Sequence, residues 1–284
     1  MWLSGFTSLL AFSPLFLCQP LLTPVPRRFD FHQQISEVVL CGCGGTGSQV
    51  ARTLCRVVYD LRRRGHHTPS LKFVDPDVIE AKNVGRQMFT HADIGNHKAT
   101  CLSRRFNLAM GINITAYVEP FDAEKHVARY GSLVVGCIDN HHARIALSSA
   151  NALWIDTGNA KTSGQVCIGN TSDRAQVERC IKSDQFTHLP NAALLFPQLL
   201  EPEPTPAPVS TPTPTASCAD LIETADQHLL VNDQIGIIAG EYLYRLLNGL
   251  PVYSFLTYVD TEVLSKRSVP ITGENLKQYM EGAK

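Results

Sequence analysis

The sequence predicts an α/β protein on a doubly wound, mostly parallel sheet that continues into a mixed or antiparallel C-terminal part. Three observations predict it. Short apolar runs alternate with helical periodicity from residue 37 to residue 156. These runs are too continuously apolar for a half-solvated sheet and suit strands buried on both faces. A glycine-rich run closes the first strand and opens a helix, and aspartates end the second and fourth strands. Strands alternating with helices imply parallel pairing through right-handed crossovers. Ligands of such sheets sit beyond the carboxyl ends of the strands, where these glycines and aspartates fall.

The elements come in this order. Residues 37–41 (EVVLC) are the first buried strand. Residues 47–64 have helical spacing, with Val50, Leu54, Val57, Val58 and Leu61 on one side. Arg62-Arg63-Arg64 before Gly65 reads as a cationic helix C-terminus with a glycine cap. Residues 71–74 are the second strand, ending at Asp75. Residues 98–110 are a helix with Leu102, Phe106 and Ala109 inward, and 112–118 alternate as a strand. Residues 133–138 are a buried strand ending at Asp139, then a helix over 143–152 and a strand over 153–156. Residues 164–169 read as an antiparallel strand.

The run EPEPTPAPVSTPTPTAS then breaks the pattern, because proline removes donors and fixes φ. Residues 197–217 are therefore expected to be an extended, solvated crossover linker. Residues 229–247 return to helical spacing, with Gly249 and Pro251 as stop signals, and 253–259 read as a strand. The segment beyond the linker is short for a core of its own, so the linker interrupts one domain. The expected organisation is an irregular apolar extension over 1–26, one domain over 27–260, and a C-terminal tail over 261–284.

Composition excludes several classes. The chain has 284 residues, 44% hydrophobic and 18% charged, with a net charge of -1. That supports a sizeable core and speaks against general nucleic-acid binding. Nine cysteines without paired spacings fit reduced thiols and a cytoplasmic protein. No C-x-x-C pair occurs, so zinc is not expected. The first charged side chain is Arg27. A signal peptide would have a basic start, and Pro14, Pro20, Pro24 and Pro26 interrupt a membrane span. The reading is no membrane insertion, with a targeting role for 1–26 left open.

The chemistry concentrates in four places. Gly42-Cys43-Gly44-Gly45-Thr46-Gly47 sits between strand and helix. Its glycines serve a tight turn, backbone approach to phosphate, and close helix–strand packing. Alone it says "nucleotide" and leaves NAD, FAD and other ligands open. Asp75 ends the second strand, where a carboxylate accepts ribose hydroxyls, although it comes later than the roughly 20 positions usual after the last glycine. Asp77 comes two positions later. Asn83, Arg86, Gln87 and Lys98 then supply amides and cations that a dinucleotide does not need and a triphosphate does. Asp139 is placed to hold Mg²⁺ opposite them. His141-His142 tempts a metal assignment, but adjacent histidines diverge on a helix and read as structural or solvent-facing.

Together, GCGGTGS, DPDVIEAKNVGRQ, DIGNHKA and GCIDN, in this order, resemble the ThiF/MoeB/HesA superfamily, related to ubiquitin-activating enzymes. The resemblance is strong over residues 36–170 and weak over 218–259. It implies a Rossmann-like fold, ATP and Mg²⁺, and adenylation of the diglycine C-terminus of a ubiquitin-like or sulfur-carrier protein by a homodimer. By position it implies that Asp75 binds ribose, that Asn83, Arg86, Gln87 and Lys98 face the triphosphate, and that Asp139 organises Mg²⁺ and the attacking carboxylate. It also implies that Cys218, just after the linker, forms a thioester or persulfide with the activated carrier. An ordinary helix-flanking cysteine is the alternative, and Cys167 and Cys180 are poorer candidates.

The chain departs from the pattern in lacking paired zinc cysteines and in matching only loosely, with Arg27 or Arg28, an arginine that reaches a partner's ATP. Its proline-rich insertion is more like standalone bacterial ThiF-like and PRTRC-type proteins. Two other functions are weighed: a non-catalytic nucleotide-binding or scaffold subunit, and an NAD-dependent oxidoreductase, against which Asn83, Arg86 and Lys98 speak.

Overall fold

The structure is a computed structural model that describes residues 25–128, 130–202 and 228–282. Eight strands form one sheet in the order β3-β2-β1-β4-β5-β6-β7-β8. β1 (Glu37–Cys41), β2 (Ser70–Val74), β3 (Ile114–Tyr117), β4 (Ser132–Gly136) and β5 (Leu153–Asn159) pair in parallel. β6 (Ser163–Gly169), β7 (Ser254–Asp260) and β8 (Ser265–Pro270) continue antiparallel. The fold is Rossmann-like, as the sequence predicts.

β1 and β4 are buried along their whole length. Such strands need helices on both faces, which the intervening segments supply. α1 (Gly45–Arg63) turns Val50, Leu54, Val58 and Leu61 into the core. α2 (Lys98–Met110) buries Leu102 and Phe106 and ends at Gly111 in the left-handed region. α3 (Ala123–His126) is a single turn, and α4 (His141–Ser149) precedes β5. The chain leaves β1 for β2 on one side and reaches β4 on the other. This reversal opens a crevice above the carboxyl ends of β1 and β4.

The C-terminal half differs from the sequence expectation in three places. α5 (Arg174–Ser183) and α6 (Ala192–Leu195) occupy a stretch in which the sequence predicts no helix. The expected linker starts as a 3₁₀ turn over Pro197–Leu200, and residues 203–227 lie outside the described residues. The expected tail is a correction: 261–284 contains β8 and α8 (Gly273–Glu281), and this stretch buries Val269, Ile271, Leu276 and Met280. Four apolar side chains spread over a strand end and one helix stripe are too sparse to read as elements, yet they complete the core.

α7 (Val231–Leu247) lies across α1. Gly236 and Gly240 let the helices approach closely. A Cβ would stand 2.6 Å from Gln49 Cβ at the first and 2.1 Å from Thr53 Cγ2 at the second. At the N-terminal end, Phe29 donates its N–H to the Val252 carbonyl and Arg27 to that of Ile271, so 27–30 stitch onto the C-terminal half. Residues 1–24 lie outside the described residues. Among the described residues no helix is long and apolar enough to cross a membrane.

Candidate functional site

A cavity of about 510 Å³ opens in the crevice above β1 and β4, a size that suits a nucleotide-sized ligand. A second, of about 480 Å³, lies by the amino ends of β1 and β2, between residues 28–35, His66, His67 and 246–252. The sheet's topology and the glycine loop favour the first.

The loop is shaped by contact distances. Gly42 has φ +85°, and a Cβ there would meet the Cys137 carbonyl oxygen at 2.2 Å. At Gly47 a Cβ would come within 1.9 Å of the Gly42 carbonyl oxygen, so α1 can pack on the turn only without one. Gly44 has open space on that side, its nearest neighbour being Gln87 Nε2 at 4.0 Å. Gly42, Gly44, Gly45 and Thr46 line the cavity; Gly47 stands behind them.

Asp75 is placed differently from its expected role. It is 4% exposed and is not among the residues lining the cavity. Its carboxylate accepts the backbone N–H groups of Cys43 and, at 2.8 Å, Asp77. Burial raises its pKa, against those two N–H donors and the Lys98 charge. In this structure Asp75 braces the glycine loop, and Asp77 and Glu80 are the carboxylates on that cavity wall.

The cationic arm runs from Asp77 to Lys98. A 3₁₀ turn over Ala81–Asn83 carries Asn83, whose side-chain oxygen accepts the Glu80 N–H at 2.8 Å. Asn83, Gln87 and Lys98 all line the cavity. The Gln87 side-chain oxygen is buried without a hydrogen-bond partner among the described residues, an acceptor held at an energetic cost. Lys98 opens α2, where its charge opposes the helix dipole; such a placement detracts from stability and suits anion binding. Its Nζ rests 2.8 Å from Asp77 Oδ2, and its N–H donates to the Asp77 carbonyl. Arg86 is half-buried and is not among the residues lining the cavity. It comes directly after Gly85, whose φ of +78° turns the backbone sharply between Asn83 and Gln87.

Asp139 is exposed at the far wall, with Asn140, whose side chain caps α4 by accepting the Ala143 N–H. His142, exposed, also lines this wall, its ring 3.9 Å from that of His141. Thr157 and Asn159 complete the floor. Sequence reasoning ends β5 at Asp156 and so misses both; they lie on the same strand end that the parallel register aligns with β4. Pro120 and Phe121, also missed, form an apolar wall.

Behind the floor, Asp156 is fully buried, with Arg144 Nε 3.7 Å from its Oδ1. Burial lifts its pKa to about 7, against the pull of the Arg144 charge. Cys41, Cys43 and Cys137 surround the loop, and burial pushes all three thiols up, that of Cys137 to about 12. They are poor nucleophiles. Cys167 and Cys180 are buried, and Cys218 lies outside the described residues. Arg27 pairs with Asp184 at 2.6 Å and Arg28 with Asp30 at 2.6 Å. Among the described residues no group of three metal-ligating side chains converges.

Known structures share this architecture. A selenomethionine form of PaaA matches with a TM-score of 0.51 and 15% identity, covering 83% of this chain and 73% of PaaA. E. coli MccB with AMPCPP and selenomethionine MccA matches with a TM-score of 0.50 and 15% identity, covering 84% of this chain and 64% of MccB. E. coli MccB with ATP gives 0.50 and 15%, covering 84% and 65%. The chain thus spans just under two thirds of the length of MccB, and the likeness at this identity is one of fold. No curated protein matches the chain. The family model of the ThiF family matches residues 30–276, from the stitch before β1 into α8. The chain belongs to the ThiF family.

Proposed function

We propose that this protein adenylates the C-terminal carboxylate of a small ubiquitin-like or sulfur-carrier protein with a diglycine tail, using ATP and releasing pyrophosphate. The observation that carries the reading is the meeting, in one cavity, of the glycine loop, the Asn83–Gln87–Lys98 arm and Asp139. Membership of the ThiF family supports it, and so does a fold shared with MccB, which has been solved with ATP and with MccA.

In this reading the phosphates lie against the α1 N-terminus and Gly44–Thr46, where aligned peptide dipoles favour anions. Lys98 leaves Asp77 for the phosphates, and Arg86 turns inward to fork two oxygens. Pro120 and Phe121 pack on the base. The carrier's carboxylate, already ionised at neutral pH, attacks the α-phosphorus in line. One P–O bond forms as the bond to pyrophosphate breaks, so the protein supplies positioning and charge neutralisation. The residues fit Mg²⁺: Asp139 is one exposed carboxylate on a wall that triphosphate oxygens would share, and Mg²⁺ commonly takes one or two carboxylates plus phosphates. Bound there, the ion would neutralise charge building on the leaving pyrophosphate. Cys218 would then take the acyl group, its thiolate sulfur forming a thioester as AMP leaves. Two copies would assemble as a homodimer.

The test is ATP–pyrophosphate exchange in the presence of candidate diglycine-tailed proteins, with intact-mass spectrometry of those proteins. A carrier mass increased by an adenylate, and exchange lost in Asp139→Ala, are expected. ATP binding with no exchange for any carrier, and no effect of Asp139→Ala, overturns the reading. It would favour a nucleotide-binding subunit without catalysis.

A further inference from the structure

Asn232 is 1% exposed in the first turn of α7, outside both the sequence motifs and the cavity lining. Its side-chain oxygen accepts the Thr46 hydroxyl at 2.8 Å and the side-chain N–H of Asn159. Asn159 also donates to Thr46 Oγ1 at 3.2 Å. Thr46 and Asn159 both face the cavity, so Asn232 fastens the glycine loop to the end of β5 from beneath. With Asn159 donating to it, Asn232 presents its oxygen to Thr46 and Asn159 and its NH₂ to the other side.

The remaining group, Asn232 Nδ2, is buried and has no hydrogen-bond partner among the described residues. It is turned to Gly45: a Cβ there would stand 2.8 Å from Nδ2. Gly45 therefore serves to admit this amide beneath the α1 N-terminus. Asn232, Gly236 and Gly240 recur every fourth residue, hence on one face of α7. The close approach that the two glycines permit is what carries Asn232 to the loop.

We propose that Asn232 is a positioning residue for the phosphate loop. It locks Thr46 and Asn159 in place and sets an uncompensated N–H donor under Gly45, adding to the positive end of α1 where phosphate binds. The proposal rests on the nucleotide reading of the cavity but not on adenylation. A buried donor without a partner is a cost to the folded protein, and an anion just above it would offset that cost electrostatically.

Stability and binding then separate. Asn232→Asp keeps the oxygen that accepts from Thr46 and Asn159, and its charge suits a helix N-terminus. Burial of the charge opposes that gain, so the full-length variant should melt above Asn232→Ala, which loses the accepting oxygen altogether. The same charge beneath the phosphates should weaken ATP binding at least roughly tenfold by calorimetry, and the deficit should shrink as salt rises. Asn232→Ala should melt lower and bind ATP less weakly than Asn232→Asp. A purely packing role predicts that affinity follows melting temperature in both variants, and that result overturns the proposal. Should Asn232→Asp not fold, Asn232→Ala is set against Gly240→Ala, which strains the same helix pair away from the loop: a larger loss of ATP affinity in Asn232→Ala at a similar melting loss supports the proposal, and equal losses overturn it. Wild-type protein that binds no ATP overturns this proposal together with the adenylation reading. Wild-type binding with an unaffected Asn232→Asp overturns this proposal alone.

Discussion

The two sides of the cavity are held by different physics. The glycine loop is braced from behind by buried groups: Asp75 accepts two backbone N–H groups, and Gly47 seats α1 on the turn. The arm from Asp77 to Lys98 is held by partly exposed ion pairs, Lys98 with Asp77 and Arg105 with Asp93 at 2.6 Å. Carboxylates of the two regions titrate in opposite directions. Burial raises Asp75 and Asp156. Burial also opposes ionisation of Asp93, but hydrogen bonds from Cys101 and Thr90 and the Arg105 charge outweigh it and hold the group at about 2. A preformed loop beside an arm clamped by its own counter-ions suits a site whose backbone waits for phosphate while its cations exchange one anion for another.

Breaking the loop side should cost most. Gly47→Ala puts a methyl into the Gly42 carbonyl and should cost on the order of 3 kcal/mol, with ATP binding lost. Denaturant unfolding alongside calorimetry checks both; a variant of wild-type stability would show that the turn yields. Asp75→Ala leaves two buried N–H groups unpaired, at about 1–3 kcal/mol each. If that variant stays stable and loses only nucleotide affinity, Asp75 touches the ribose and does not brace the loop.

The arm should show the reverse. Lys98→Ala should change stability by less than about 1 kcal/mol, because Asp77 is 62% exposed and the pair is screened. Its ATP affinity should fall about tenfold or more, the worth of a charge-assisted hydrogen bond. Equal affinity in calorimetry would remove Lys98 from the phosphate site. Asp77→Asn should bind ATP slightly tighter, since Lys98 no longer has to leave a counter-ion.

Titration sharpens the contrast. The folded pKa of Asp156, about 7, exceeds the unfolded carboxylate value. Its stabilising contribution is thus full below the unfolded pKa and is lost as pH rises through about 7. For Asp93 the folded value is depressed, so its contribution is present above the unfolded pKa and is lost as pH falls through about 2. Denaturation at about pH 5 and about pH 8 should show wild type weakening relative to Asp156→Asn across that interval. Parallel curves would mean that Arg144 keeps Asp156 ionised.

Much of the parallel half was legible because its signals are local. Strands 37–41, 71–74 and 133–138 are apolar runs ended by glycine or aspartate, and α1 and α2 carry clear helical stripes. α5 escaped notice because only Val177 and Cys180 of its ten residues are buried, too few to set a period. β8 escaped because four of its six residues are exposed, an edge strand whose one solid anchor is Val269. In the site, the glycine spacing predicted a phosphate turn, but His142, Asn159 and Asn232 come from strand and helix ends that only folding brings together.

The amino-acid order alone determined the alternation of strands and helices, the loop and the succession of motifs that marks the family, because period and spacing act between near neighbours. Tertiary structure decided that Asp75 turns inward, that Arg86 stands off the cavity and that residues 265–281 join the core. Those outcomes depend on which groups meet across the sheet, and contacts between distant segments leave no periodic trace in the chain.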